Sequence, residues 1–259
     1  MSNTFARETN RPLFYFLGFH ECELPVDNPY FLTVGDSSEG VDGLGIFPFV
    51  KGMPIIMNDS EHRALRITNG MQGTAVDFIP DPESDFLKVG HQTYIITCLP
   101  IVILGSFDVA DHQQFDKLEH GIILIFLKKR FMVESKLTME WADRLQSPVN
   151  SVLKFKRTQV PCRAAFAMTV NKAQGQTYAN AVIDLHATNK NISEADTFQA
   201  TYVALSRVKS GAGLYFLRET PSDIFRCKAH NILKNDESRF ENLETNTLSA
   251  TDQLVLHLA

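Results

Sequence analysis

The pattern of the chain changes at Pro148, and that change limits the fold more than any other feature. Before it, from Phe47 to Leu127, come short β-type runs: Pro54–Met57, Gly73–Ile79, Thr93–Leu99 and Gly121–Leu127. Turn clusters such as Asn69-Gly70 and Asp81-Pro82-Glu83 separate them, and short strands punctuated this way predict a small all-β unit. After Pro148, strands alternate with helices. Val152–Gln159 reads as a basic alternating strand, Arg163–Thr169 as an apolar strand running into a polar turn, and Ala181–Leu185 and Leu214–Leu217 as further strands. Thr197–Val208 reads as a helix with Phe198, Tyr202 and Leu205 on one face, and Ser222–Leu233 as a second helix. That alternation predicts a parallel α/β sheet covered by helices. Upstream, Leu13–Phe19 reads as a buried strand and Asp36–Gly40 as an exposed loop; the stretch after Asn235 reads as an acidic tail, either helical or frayed.

Charge is divided along the same lines. The net charge of −5 speaks against a polyanion partner when taken whole, because such binding rests on Lys and Arg neutralising phosphates. By segment the picture reverses. Residues 1–149 hold 12 basic and 20 acidic side chains, a net of −8; residues 150–235 hold 12 and 5, a net of +7; residues 236–259 hold 1 and 5, a net of −4. Sign asymmetry of this kind is more informative than its total. The four cysteines, Cys22, Cys98, Cys162 and Cys227, form no CxxC pair, so neither a disulfide framework nor a zinc site is expected, and a reducing intracellular setting is. His20-Glu21-Cys22 resembles a metal-site fragment, but Ala165 stands where a deaminase-type second cysteine would fall, and His20 is expected to be structural. No apolar run approaches the ~20 residues that span a bilayer, and no signal peptide is evident.

Two clusters carry chemistry. In Ala165-Phe-Ala-Met-Thr-Val-Asn-Lys-Ala-Gln-Gly-Gln-Thr177 a strand runs into a turn that offers an ammonium, several amides and a hydroxyl around Gly175. Ligands gather at the carboxyl ends of strands in open parallel sheets. The bland alternative is an ordinary polar loop. The second cluster, Tyr202-Val-Ala-Leu-Ser-Arg207, puts Arg207 at a helix end, where it serves either the helix dipole or a phosphate.

Taken together, Phe155-Lys-Arg-Thr-Gln-Val-Pro161, AFAMTVNKAQGQT and YVALSRV resemble the Pif-like and RecD-like DNA helicases of superfamily one, with a flavour nearest to Helitron-type mobile-element versions. Gly52-Met-Pro-Ile-Ile-Met57 and Ile67-Thr-Asn-Gly-Met-Gln-Gly73 resemble the start of the small β-barrel inserted in that family's second motor domain. The resemblance spans roughly 47–79 and 152–218. It implies a RecA-like second helicase domain over 151–235 carrying a barrel insertion over 47–150, with 1–46 as a lead-in and 236–259 as the tail. It further implies that Asn171, Lys172 and Gln174 contact single-stranded DNA, that Gly175 and Gln176 face the γ-phosphate, and that Arg207 is the arginine finger. Lys154, Lys156 and Arg157 would line the nucleic-acid channel; their structural alternative is a solvated edge strand.

Such a motor holds ATP and Mg²⁺ between two RecA-like domains, the first bearing GxxxxGK[ST]. No Gly precedes a Lys anywhere in this chain, and Asp236-Glu237 follows no buried strand. Asp184 is expected to be structural. The resemblance therefore implies the C-terminal part of an ATP-dependent 5′→3′ helicase acting in repair or recombination, nuclear if eukaryotic. It would need a P-loop domain in cis or in trans and be inactive alone. A degenerate, non-catalytic single-strand-binding protein is the alternative. An incomplete parallel sheet would also leave apolar surface exposed.

Overall fold

The computed structural model describes residues 1–21, 30–33, 44–58, 60, 65–108, 114, 117–136, 139–144, 146, 148, 152–185, 194–220 and 235–247. Two compact units emerge, Met1–Ala167 and Met168–Ala259. The expected loop at 36–40 and helix at 222–233 lie outside the described residues, as do Cys22 and Cys227.

The first unit begins with α1 (Ser2–Thr9), which stops where Asn10 turns left-handed at φ 52°. Asn tolerates that conformation better than most residues, and the Arg11 N–H then closes back on the Ala6 carbonyl at 2.9 Å. The aromatic run that follows forms β1 (Leu13–Leu17) and β2 (Phe19–Glu21). A four-residue helix, α2 (Tyr30–Thr33), precedes β3 (Ile46–Val50) and β4 (Pro54–Met57). Next come β5 (Gln72–Ile79), β6 (Phe86–Gly90), β7 (Thr93–Ile96), β8 (Val102–Ser106), β9 (Ile122–Phe126) and β10 (Lys128–Lys136). After α3 (Met139–Arg144), the unit ends with β11 (Val152–Gln159) and β12 (Cys162–Ala164).

These strands make three sheets, in the orders β3-β1-β7-β6, β10-β11-β2 and β12-β4-β5-β8-β9. β1 is central in the first, antiparallel to β3 and parallel to β7, which is why its sequence is apolar throughout and not alternating. Phe14, Phe16, Phe49 and Phe78 meet edge to face, with centroids 5.0–6.3 Å apart. Each such pair adds about 0.5–1.5 kcal/mol to what area burial alone contributes. Around them Leu13, Phe47, Met53, Ile55, Met57, Ile103, Phe107 and Ile125 complete a continuous core.

Two expectations are corrected here. Among the described residues no sheet closes into a barrel: β3 pairs with β1 and β4 with β12, so strands of 47–150 pair outside that stretch. The apolar strand expected over 163–169 is β12 only, and it runs antiparallel to β4. A short apolar run carries no signal of strand direction, so this pairing was not readable from its pattern.

The second unit is lighter. It holds α4 (Val170–Ala173), β13 (Ala181–Ile183), α5 (Glu194–Leu205), a 3₁₀ turn at Gly211–Gly213, β14 (Leu214–Phe216) and an exposed helix over 235–247. β13 and β14 pair in parallel, Ala181 to Leu214 through Ile183 to Phe216, so parallel α/β pairing is present here as two strands. The buried positions of α5 are Thr201 and Ala204, and Tyr202 is 67% exposed, so the apolar face differs from the expected Phe198–Tyr202–Leu205 stripe. Asp184 just after β13 accepts both terminal and Nε hydrogen bonds of Arg218, at 2.6 and 2.9 Å, a structural role as expected. No described helix is long and apolar enough to cross a membrane.

Candidate functional site

The Asn-Lys-Ala-Gln-Gly-Gln stretch is a single helical turn followed by a sharp reversal. Thr169 is extended, at φ −75° and ψ 156°, and its carbonyl accepts the N–H groups of Lys172 and Ala173 at 3.0 and 3.2 Å. Ala173 is buried, whereas Asn171, Gln174 and Gly175 are exposed and Lys172 and Gln176 half-buried. The chain turns back at Gly175, whose φ of +80° is the left-handed region that other residues enter only at a cost of about 1 kcal/mol or more. No atom lies within 4 Å of the place a Cβ would take there. The backbone angle, and not crowding, therefore calls for glycine, and it leaves the main chain approachable by a ligand. The Gln176 N–H closes the turn on the Ala173 carbonyl at 3.1 Å.

The two sequence clusters meet at this turn. Arg207 follows the end of α5, and its Nη1 donates to the Gln176 carbonyl at 3.1 Å. Its Nε donates to the Val203 carbonyl at 2.9 Å and its Nη2 to Ser206 Oγ at 2.8 Å. A guanidinium carries five N–H groups, so these bonds leave one on each terminal nitrogen. The backbone doubles the joint: the Tyr178 N–H donates to the Arg207 carbonyl at 2.7 Å, and the Lys209 N–H to the Tyr178 carbonyl at 3.0 Å. Tyr178 and Val208 thereby form a parallel bridge. The Tyr178 hydroxyl lies within hydrogen-bonding range of Gln176 Oε1 and Met168 sulfur, while Gln176 Nε2 faces the Lys172 carbonyl at 3.4 Å. Chemically, a half-buried guanidinium with two uncommitted N–H groups beside an open glycine backbone suits a phosphate oxygen. Among the described residues no group of three or more His, Cys, Asp or Glu side chains could hold a metal.

No family model matches the chain. It is 39% identical, over an alignment of 175 residues, to the ATP-dependent DNA helicase PIF1 of Emericella nidulans, covering 61% of this chain and 21% of that protein. Its fold matches the crystal structure of Pif1 helicase from Candida albicans with a TM-score of 0.51 at 18% identity, over 93% of this chain and 47% of the other. The chain is Pif1-like. Bacteroides Pif1 bound to single-stranded DNA matches with a TM-score of 0.51 at 15% identity, over 93% of this chain and 44% of that one. The Pif1-like chain thus spans about a fifth of the curated relative's length and under half of each solved structure.

The remaining expected site residues of the Pif1-like chain sit in its first unit, on β11. Lys154 and Lys156 are exposed, as a strand of period two requires when Phe155, Arg157 and Gln159 face inward. In register, Lys154 stands opposite Glu134 and Lys156 opposite Glu21, so each lysine faces a carboxylate position across the sheet. β11 is the middle strand of its sheet and is flanked by β2 at Lys156–Thr158, so Lys156 does not lie on an edge. Arg157 is wholly buried. Its Nε donates to His20 Nε2 at 2.9 Å, a terminal nitrogen donates to the Phe31 carbonyl, and the guanidinium lies 5.5 Å from the Phe155 ring centroid. Burial, and then the neighbouring Arg157 charge, lower the His20 pKa to about 4, so the imidazole is a neutral acceptor. His20 is structural, as expected, and Arg157 does not face a channel.

Tyr178, Ser206 and the Val203 carbonyl were not among the expected site residues. Tyr178 could have been found: it follows Gln176 by two positions, the spacing that returns a side chain to the same side of an extended chain.

Proposed function

We propose that the chain is the C-terminal part of an ATP-dependent 5′→3′ DNA helicase, with a RecA-like second motor domain, acting on ATP held by a P-loop domain. The observation that carries this is the Arg207–Gln176 hydrogen bond, which joins the polar turn to the arginine at the end of α5. The same two motifs carry the resemblance to superfamily-one helicases. The 39% identity to the Emericella nidulans helicase supports the reading.

In this reading Asn171, Lys172 and Gln174 contact the backbone of single-stranded DNA on one side of the turn. Gly175 and Gln176 face the γ-phosphate on the other, and Arg207 adds positive charge to the transferring phosphoryl group. ATP and Mg²⁺ would be held by the P-loop domain, and the γ-phosphoryl group of that ATP is the one transferred. If Arg207 turns the N–H that it gives the Gln176 carbonyl toward a phosphate instead, that carbonyl loses this donor. That exchange links the nucleotide state to the DNA-facing side of the same turn. Lys154 and Lys156 remain candidates for a peripheral DNA contact, the latter weakened by the opposing Glu21.

Two measurements test this. Joined to a P-loop domain, Arg207→Ala should slow single-turnover ATP hydrolysis by roughly 10³-fold or more. In the chain alone, Lys172→Ala should reduce the slope of log affinity for oligo-dT against log salt by about 0.7. Unchanged hydrolysis would end the arginine-finger assignment. Salt-dependent oligo-dT binding with no response to nucleotide in the joined protein would favour the non-catalytic single-strand binder.

A further inference from the structure

The first unit buries much of its apolar surface, but β6 leaves three large apolar side chains exposed on one strand. This strand ends its sheet, paired with β7 and with no second neighbour among the described residues. All five of its residues are exposed, among them Phe86 at 45%, Leu87 at 52% and Val89 at 56%. Natural sheet edges are usually blunted by charge, proline, bulges or a covering element. Here Lys88 and a register shift before Gly90 stand against three large apolar side chains.

The links on either side of the β6–β7 hairpin extend this surface. The Ile101 N–H donates to the Ile79 carbonyl at 2.9 Å and the Thr97 N–H to the Asp85 carbonyl at 3.1 Å, and Ile79 and Ile101 are both exposed. The second of those bonds also sets the backbone parity. The Asp85 carbonyl turns toward β7, so by alternation Leu87 does too, and the N–H and C=O of Phe86 and Lys88 turn outward. The approach to this open edge is acidic: Asp81, Glu83 and Asp85 precede β6, and Lys88 is the one Lys or Arg between Asp77 and Lys117 in the sequence.

We infer that β6 is a docking edge for an extended segment of a partner protein, in which Lys or Arg alternates with apolar residues, and which adds to the sheet as a further strand. Backbone hydrogen bonds to Phe86 and Lys88 would hold it, Leu87 and Val89 would pack its apolar side chains, and Asp81, Glu83 and Asp85 would pair its cations. The acidic approach disfavours a nucleic-acid strand. A second copy pairing antiparallel about the middle of β6 would set Lys88 opposite Lys88, and like charges directly opposite each other are destabilising.

The test uses the full chain and two labelled eight-residue probes, an alternating Lys–Val peptide and an alternating Glu–Val peptide, followed by fluorescence anisotropy and amide hydrogen exchange. The Lys–Val peptide should bind, lose affinity as salt rises, and slow exchange at the Phe86 and Lys88 amides; the Glu–Val peptide should not bind. Replacing Asp81, Glu83 and Asp85 with their amides should weaken binding about tenfold. Lys88→Ala removes a repelling charge and should tighten binding about twofold to fivefold. Lys88→Pro removes the same charge and the outward N–H, a change edge strands tolerate, and should weaken binding about tenfold. If Lys88→Pro disturbs the fold, the amide variant and Lys88→Ala decide the matter. Equal binding of both peptides, protection confined to other strands, or β6 protection that appears only with concentration-dependent dimerisation would each overturn the inference, the last in favour of a second copy.

Discussion

The two units of this chain are held by different forces. Met1–Ala167 contains the whole continuous hydrophobic core, with Phe16, Phe31, Phe47, Phe49, Phe107 and Phe155 fully buried. In Met168–Ala259 the buried apolar side chains among the described residues are Ala173 and Ala204, while Val182, Tyr202, Tyr215, Phe216 and Leu217 are exposed. Burying a Phe contributes about 1.5–3 kcal/mol, against far less for an Ala. The second unit relies instead on directed contacts: Arg207 to Gln176, Tyr178 to Arg207 and Arg218 to Asp184. Hydrogen bonds of this kind contribute about 1 kcal/mol each. Among the described residues, the part that carries the candidate chemistry is therefore held more by directed contacts than by apolar burial.

The contrast breaks most visibly at Phe16 and Arg157. Phe16→Ala should cost roughly 3–5 kcal/mol in chemical denaturation, whereas Tyr202→Ala, on the exposed face of α5, should stay within about 0.5 kcal/mol. Arg157→Ala should approach the Phe16 value, because it opens a cavity and takes donors from the His20 ring and the Phe31 carbonyl in a closed space, a loss of roughly 3–5 kcal/mol. An Arg157→Ala protein as stable as the parent, with altered DNA binding, would return this residue to the channel.

Arg157 also shows what was legible beforehand and what was not. The strand Val152–Gln159 is legible in the sequence to the residue, from its alternating pattern. Carried one step further, period two already places Arg157 with Phe155 and apart from Lys154 and Lys156. The charge of the segment obscured that parity. Pro54–Met57 was likewise readable from turn residues and β-branched pairs. Its partner was not, since β12 lies about a hundred residues away and nothing local encodes the pairing. Phe-Leu-Lys-Val-Gly does not alternate apolar with polar, so β6 carries no half-buried strand signal, and its exposure is set by where the sheet ends. At the site, the family resemblance pointed to both the turn and Arg207, whereas the Arg207–Gln176 hydrogen bond joins residues 31 positions apart and nothing local encodes it.

A smaller effect follows from His20. Its pKa falls from 6.5 to about 4 on folding, chiefly through burial and then through Arg157. Between those values the unfolded chain takes up a proton that the folded chain refuses. This contribution to stability is therefore complete above about pH 6.5 and is lost as the pH falls toward 4, by up to roughly 3 kcal/mol. His20→Gln keeps an acceptor for Arg157 and cannot titrate. The difference in denaturation midpoint between parent and variant should shrink or reverse with acid, and a constant difference from pH 7 to 4 would show that the imidazole is not shielded. Because His20 lies in the first unit, amide exchange in 168–220 should show no matching acid-dependent step.

The smallest effects lie in the second unit and test whether its order is truly local. Gly175→Ala meets no neighbouring atom and should cost only the left-handed backbone, about 1 kcal/mol. Gly213→Ala should cost more, because its Cβ would fall 2.0 Å from the Ala179 carbonyl oxygen, beside Tyr178. Tyr178→Phe is the finest probe. It keeps the ring and removes the hydroxyl beside Gln176 Oε1, a loss of about 1 kcal/mol or less at a half-buried position. If directed contacts hold this unit, the loss should appear as faster amide exchange at Gln176 and Lys209, with the global unfolding midpoint unmoved. Arg207→Ala should raise the same rates further, since it removes the bond to the Gln176 carbonyl as well. A Tyr178→Phe protein whose midpoint drops as far as that of Phe16→Ala would mean that the two units unfold as one, and that the chemistry-bearing turn borrows its stability from the aromatic core.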